Sequence, residues 1–301
     1  MSTNATSVDL VAAETFLREQ ARILDVRRFE RAFGDGTDAS VLVALRSYDN
    51  ADGGYAGLLE PDLRTTRSQP QSAELALRVL DEVGVVPADR AAALCDWLQT
   101  VSGPDGGVPF THPSARVHPA ALHWHHADGE TPSLNPTAAL VGLLHRHGIR
   151  HPWLDDATAF CRRALGLDGD AGGEELDLYS VRAACWLLDP AVPLGDDRDA
   201  VREVLAAGIR EHVALDPALT APGAPGHHIG PLEVAPFPDS PGRELLPPDA
   251  VEAALEAVVE RQLPDGGWQV NFPPISTAAT AEWRSWATLQ WLLVLRAAGR
   301  V

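Results

Sequence analysis

Glu60 and Asp62 stand two residues apart in the segment Gly57-Leu58-Leu59-Glu60-Pro61-Asp62-Leu63-Arg64-Thr65-Thr66-Arg67-Ser68-Gln69-Pro70. Two carboxyls this close can act as a carboxylic acid and its orienting partner in general acid catalysis. Arg64 and Arg67 come just before a helix start at Gln69-Pro70, where unsatisfied N–H groups favour an anion. They are candidates to hold a diphosphate or a carboxylate. The plainer reading is that these acids and arginines pair with one another in an ordinary loop.

A second segment, from His118 to Asp128, concentrates His118, His123, Trp124, His125 and His126. Imidazoles with a carboxylate can bind zinc or another divalent metal, or can move protons near neutral pH. No partner set with the usual ligand spacing follows, so neither metal nor cofactor is expected, an unknown divalent cation being the alternative. A third segment offers Glu174, Glu175, Asp177 and Tyr179, with Asp177 read as a helix N-cap. A fourth, the Pro/Gly-rich stretch 215–247, carries His227, His228, Glu233, Phe237, Asp239 and Arg243.

A recurring turn must position these segments. Asp-Gly-Gly occurs at Asp52-Gly53-Gly54, Asp105-Gly106-Gly107 and Asp265-Gly266-Gly267, with a weaker copy at Asp170-Ala171-Gly172-Gly173. Each lies between two helical stretches, and glycine supplies the positive φ of a tight helix-terminating turn. The pattern predicts helices at Val8–Arg31, Gln71–Glu82, Ala88–Val101, Trp153–Leu165, Asp177–Leu188, Arg198–His212, Pro248–Gln262 and Ala281–Ala298. Asn135-Pro136-Thr137 reads as a further N-cap with Pro behind it. The second helix of each pair is the more apolar, hence buried inside its amphipathic partner. The expectation is an all-α protein: a single-domain α/α toroid, residues 1–301, of five to six hairpins with inner and outer helices. Residues 215–247 would form a loop or lid within it.

Composition narrows the function. Net charge is −18, and every basic side chain is Arg because Lys is absent. Such a surface repels nucleic acid. No apolar run is long enough to span a membrane, and the acidic N-terminus lacks the basic start of a secretory signal, which points to the cytoplasm. The odd set Cys95, Cys161 and Cys185 reads as buried reduced thiols.

Gln262, Gly266 and Trp268 match the Gln-x₃-Gly-x-Trp core of the QW repeat, and in this the chain resembles squalene/hopene-type terpenoid cyclases. Asp-Gly-Gly followed by an aromatic residue (Tyr55, Trp268) is also similar to the repeats of protein prenyltransferase β subunits. The resemblance covers roughly Leu42 to Gly299 and implies the toroid. The catalytic signatures of those families are absent. Trp153-Leu154-Asp155-Asp156 and Leu194-Gly195-Asp196-Asp197 lack the first Asp of Asp-x-Asp-Asp, and Asp196 to Ala200 misses the last Asp of Asp-Asp-x-x-Asp. Ala93, Ala159 and Ala183 stand where a zinc-binding Asp-x-Cys needs Asp. The resemblance further implies an apolar cavity walled by aromatic faces that stabilise carbocations. Tyr55, Trp124 and Phe272 are its candidates, with His123, His125 and His228 as further substrate contacts and Trp268 as a packing residue.

The leading expectation is an isoprenoid-handling enzyme, cyclase-like or prenyltransferase-like, that acts on an apolar or prenyl small molecule through Glu60 and Asp62. A non-catalytic toroid that binds an apolar ligand or a partner is the first alternative. A glycan hydrolase or lyase pairing Glu60 with Asp128, Asp177 or Asp239 is the second.

Overall fold

The computed structural model of the chain describes residues 7–168 and 175–301. The weak Gly172-Gly173 copy and Glu174 lie outside them. Every regular element among the described residues is a helix, and strand-like pairing is limited to isolated bridges. The all-α class read from the sequence is the class found. The chain divides into two compact units, one of Met1–Ala44, Val213–Asp239 and Leu246–Val301, the other of Leu45–His212 and Ser240–Leu245. No helix of the described residues is long and apolar enough to cross a membrane.

The first unit begins with α1 (Leu10–Gln20) and α2 (Ile23–Phe33), and α3 (Asp38–Leu45) leads to the second. The single helix expected over Val8–Arg31 is broken at Ala21-Arg22, both extended. The break puts Asp25 in the first turn of α2, where helix N–H groups favour a carboxylate. Fully buried there, Asp25 accepts from Arg22 at 3.0 Å and from Arg28 at 3.0 Å.

The second unit contains α4 (Pro70–Val83), α5 (Ala88–Val101), α6 (Leu122–His126), α7 (Leu134–Arg146), α8 (Pro152–Ala164), α9 (Leu178–Ala184) and α10 (Arg198–His212). α4 and α7 are buried along nearly their whole length and pack on each other, whereas α5, α8 and α10 each bury one stripe. This is the expected division into apolar and amphipathic partners. Asp177 caps α9 by accepting from Ser180 N at 2.7 Å, as its type predicts. The helix expected to run on to Leu188 becomes a 3₁₀ turn at Cys185–Leu188, where Gly142 of α7 admits the Trp186 backbone. The cap of α7 falls two residues before the expected Asn135: Ser133 accepts from Asn135 N, and Asn135 itself is extended.

The chain returns to the first unit through α11 (Pro231–Val234), α12 (Pro248–Glu260) and α13 (Thr277–Ala297). α13 begins four residues ahead of the expected start, capped by Ser276, which accepts from Ala279 N. The Pro/Gly-rich stretch is not structureless. Besides α11 it forms 3₁₀ turns at Pro217–Thr220 and Arg243–Leu245.

The three described Asp-Gly-Gly turns share one construction. Gly53, Gly106 and Gly266 have φ of +94°, +91° and +87°. Each following glycine N–H donates to the Asp Oδ1, at 2.9, 3.4 and 3.1 Å. A Cβ on the first glycine would lie 2.2, 2.5 or 2.2 Å from backbone atoms of Ala93, Asp156 or Ala12. A Cβ on the second would meet Trp97, Phe160 or Phe16, each four residues further along the same helix (α5, α8 and α1). The turn therefore seats on one face of a neighbouring helix at positions i and i+4.

In the last copy, Gln262 Nε2 donates to Gly266 O and Asp9 O, both at 2.9 Å, and Gln262 Oε1 accepts from Asp9 N at 2.7 Å. Trp268 Nε1 donates to Val258 O at 2.7 Å, which makes Trp268 the packing residue expected of it.

Steric seating and φ strain are separable. Gly84, the left-handed residue after α4, has φ +83° and open space at its Cβ. Gly84→Ala is expected to cost about 1–2 kcal/mol, the left-handed penalty alone. Gly106→Ala adds a clash with backbone and is expected to cost about 3 kcal/mol or more. Urea unfolding of the two variants checks this, and equal losses would show that the seat on α8 gives way freely.

Candidate functional site

The Glu60/Asp62 segment is folded by its own backbone before any side chain acts. Gly57 N donates to Arg67 O and Leu58 N to Thr65 O, both at 3.0 Å, and Gln69 N closes the loop on Tyr55 O at 3.0 Å. The His/Trp segment is tied to it through the main chain: Arg64 N donates to Pro119 O at 2.9 Å and Ala121 N to Asp62 O at 3.0 Å, around a Leu63–Ala120 bridge. Candidates 60 residues apart in sequence thus share one surface of the second unit.

Under that junction lies an apolar cluster of Leu63, Ala115, Ala121 and Trp124, with Phe110 and Ala120 against it. Trp124 stacks on Phe110 with ring centroids 4.9 Å apart and planes 6° from parallel. Glu60 is 4% and Asp62 3% exposed. Asp62 Oδ1 and Trp124 Nε1 are buried, and neither has a hydrogen-bond partner among the described residues. Three further buried oxygens without partners follow on the first turns of α4: Gln71 Oε1, Ser72 Oγ and Glu74 Oε2. Buried polar atoms are nearly always satisfied in folded proteins, and four such oxygens without partners among the described residues fall between residues 62 and 74.

The remaining candidates differ in placement. Tyr55 is buried beneath the Arg90 guanidinium, 4.8 Å from its ring centre, and burial pushes its phenol up. Arg64 is half-buried, while Arg67 and His123 are exposed and His125 is half-buried. His123 lies tilted against Trp124 at 5.0 Å. No group of three or more His, Cys, Asp or Glu among the described residues is arranged to hold a metal ion. Asp128 is committed to a local turn, accepting from Thr131 Oγ1 and from two backbone N–H groups, which hold its carboxyl below the usual range. Cys95, Cys161 and Cys185 are buried, and burial pushes the Cys95 and Cys185 thiols up to about 12, which removes those two as thiolate nucleophiles.

Gln69 is a residue whose role the sequence pattern did not suggest. Fully buried, it accepts from Thr111 Oγ1 and His112 N, both at 2.9 Å, and donates to Ser114 Oγ at 2.9 Å. It locks the start of α4 to the segment that carries the histidines. The available signal was a glutamine at a helix start facing a Thr-His-Pro-Ser loop.

His228 and Phe272 belong to the first unit. His228 O accepts from Asn271 Nδ2 at 3.0 Å. Phe272 lines a cavity of about 100 Å³ together with Trp268, Trp283, Trp286 and Trp291. The Pro/Gly-rich stretch contributes Pro217, Thr220 and Pro231 to its wall.

No family model matches the chain. Over 246 residues, 77% of its length, it is 26% identical to a drimenyl diphosphate synthase of Streptantibioticus cattleyicolor, and that match takes in 41% of the synthase. The chain thus spans about two fifths of the curated relative it matches. Among solved structures it resembles a protein from Actinoplanes, with a TM-score of 0.56 at 15% identity over 96% of this chain and 99% of the other. It also resembles the type II terpene cyclase MstE from Scytonema, with a TM-score of 0.51 at 14% identity over 97% and 88%. These likenesses establish a shared fold: the all-α, α/α-toroid class expected from the repeated turns is that of a type II terpene cyclase.

Proposed function

We propose that the chain handles an isoprenoid, with the Glu60/Asp62 segment as its acid. The observation that carries this reading is Asp62: a buried carboxyl with one oxygen free of structural hydrogen bonds, set beside the apolar Trp124 cluster. An acid that protonates an alkene needs an oxygen available to the substrate and surroundings that keep water away from the cation formed. Asp62 donates that proton, Glu60 orients it, and Trp124 with Phe110 presents ring faces to the developing positive charge. Arg64 and Arg67 hold the anionic end of a prenyl diphosphate. The sequence likeness to a drimenyl diphosphate synthase supports the substrate class.

A second reading, an apolar-ligand binder without catalysis, is favoured by the missing Asp-x-Asp-Asp signature.

Prenyl diphosphates of ten, fifteen and twenty carbons separate the two. Each is offered to the wild type, Asp62→Asn and Glu60→Gln, with binding read by calorimetry and products by gas chromatography. An acid at position 62 predicts cyclised or transferred product from the wild type and a loss of about 10²-fold or more in kcat for Asp62→Asn, with binding within threefold of wild type. Binding without product from any chain length selects the second reading. A wild type that binds none of the three is not an isoprenoid protein.

The arginines make a separate prediction. Arg64→Ala is expected to weaken prenyl diphosphate binding about tenfold or more, the worth of a charge-assisted hydrogen bond, while leaving binding of the matching prenyl alcohol unchanged. Equal losses for diphosphate and alcohol would place Arg64 in the architecture of the loop.

A further inference from the structure

The bonds around Gln69 fix more than the position of a loop. A backbone N–H can only donate, so the Gln69 atom that meets His112 N at 2.9 Å is its oxygen. Nε2 then faces Ser114 Oγ and donates to it at 2.9 Å. The Ser114 hydroxyl hydrogen is left for His112 Nδ1, 2.9 Å away. Ser114 N also donates to His112 Nδ1, at 3.2 Å. Nδ1 therefore accepts twice and carries no proton, so the neutral ring bears its hydrogen on Nε2. One protonation state of His112 closes all of these bonds at once.

That state matters to the apolar cluster nearby. Through Nδ1, His112 caps the 3₁₀ turn Pro113–Val117, which carries Ala115; Ala115 N donates to His112 O at 2.9 Å. Ala115 is fully buried and belongs to the cluster of Leu63, Ala121 and Trp124. The other side of that cluster is pinned independently of the ring, by Arg64 N to Pro119 O and by Ala121 N to Asp62 O. Only the Ala115 edge depends on His112.

A proton on Nδ1 turns the acceptor into a donor. It then opposes the Ser114 N–H, which has no lone pair to offer, and forces the Ser114 hydroxyl to turn away from its present partner. Burial disfavours the charged ring while Asp52, in the first Asp-Gly-Gly turn, favours it; burial is the larger cause, so His112 lies below the ordinary histidine value. Among the other charges on neighbouring segments, Arg67 is exposed, Glu74 holds Arg78, Arg116 donates to Ala127 O and Asp128 accepts from Thr131 Oγ1. The folded chain thus prefers the neutral ring. Its bonds are fully present above the ordinary histidine value and are lost as the pH falls below it.

We propose that Gln69, Ser114 and His112 form a pH-sensitive latch. It is shut while the His112 ring is neutral. Protonation of Nδ1 frees the turn Pro113–Val117 and uncovers the Ala115 edge of the Trp124 cluster. The opening is local, and it holds whether or not Asp62 acts as an acid.

Protection of single amides against hydrogen exchange, corrected for the intrinsic rate at each pH, tests this on the full chain. Between about pH 7.5 and about pH 5, Ser114 and Ala115 are expected to lose about tenfold in protection, one hydrogen bond's worth. Ala121 and Arg64 are expected to keep theirs. His112→Asn puts an oxygen where Nδ1 stood and does not titrate in this range, so the protection of Ser114 is expected to stay constant across it. Asp52→Asn removes the charge that draws the proton in and is expected to move the opening to lower pH. The proposal is overturned if protection of Ser114 and Ala115 in the wild type does not change with pH, or if it falls as far in His112→Asn. It is equally overturned if Ala121 loses protection together with them, because the opening would then be general unfolding.

Discussion

The fold depends on how closely a glycine pair can approach the side of a helix. At Gly53, Gly106 and Gly266 the turn backbone comes so near Ala93, Asp156 and Ala12 that a single added carbon would overlap it. The second glycine leaves room for Trp97, Phe160 or Phe16 one helical turn on. Left-handed φ and close approach fall on the same residue, so glycine is required twice over. Arginines reinforce the seats from outside. Arg90 reaches Gly53 O, Arg163 reaches Asp105 O and Arg284 pairs with Asp265 while lying 4.6 Å from the centre of the Phe16 ring. Lys could not stack and donate in this way, which gives the all-arginine composition a structural use.

The turns were readable because their chemistry is local. Asp-Gly-Gly specifies its own hydrogen bonds, and the helices flanking it follow from periodicity. What the pattern missed is partly local and partly longer in range. The break at Ala21-Arg22 goes with the pairing of Asp25 to Arg22 and Arg28, each three residues away, whereas the 3₁₀ turn at Cys185 coincides with the near approach of Gly142 on another helix. Asn135 keeps the extended backbone common to N-caps, but the side-chain cap bond is made by Ser133 two residues earlier, a choice that residue type does not reveal.

The candidate acid segment was legible by residue type and invisible in its surroundings. Glu60 and Asp62 announce themselves as neighbouring carboxyls, but their junction with Trp124 runs through the main-chain pairs Arg64–Pro119 and Ala121–Asp62, which carry no side-chain signal. Gln69 was hidden for the opposite reason: its side chain does the joining, to residues more than 40 positions away.

The pairing of Asp9 with Gln262, 253 residues apart, has a consequence for how the chain is made. The second unit is nearly one continuous stretch of sequence, whereas the first is assembled from three separated pieces. During synthesis from the N-terminus, α1 emerges with its seat at Ala12 and Phe16 prepared but empty, while Leu45–His212 has all but a few of its partners at hand. The seat on α1 is therefore filled only after the whole of the second unit has been made, when the Gly266 turn arrives.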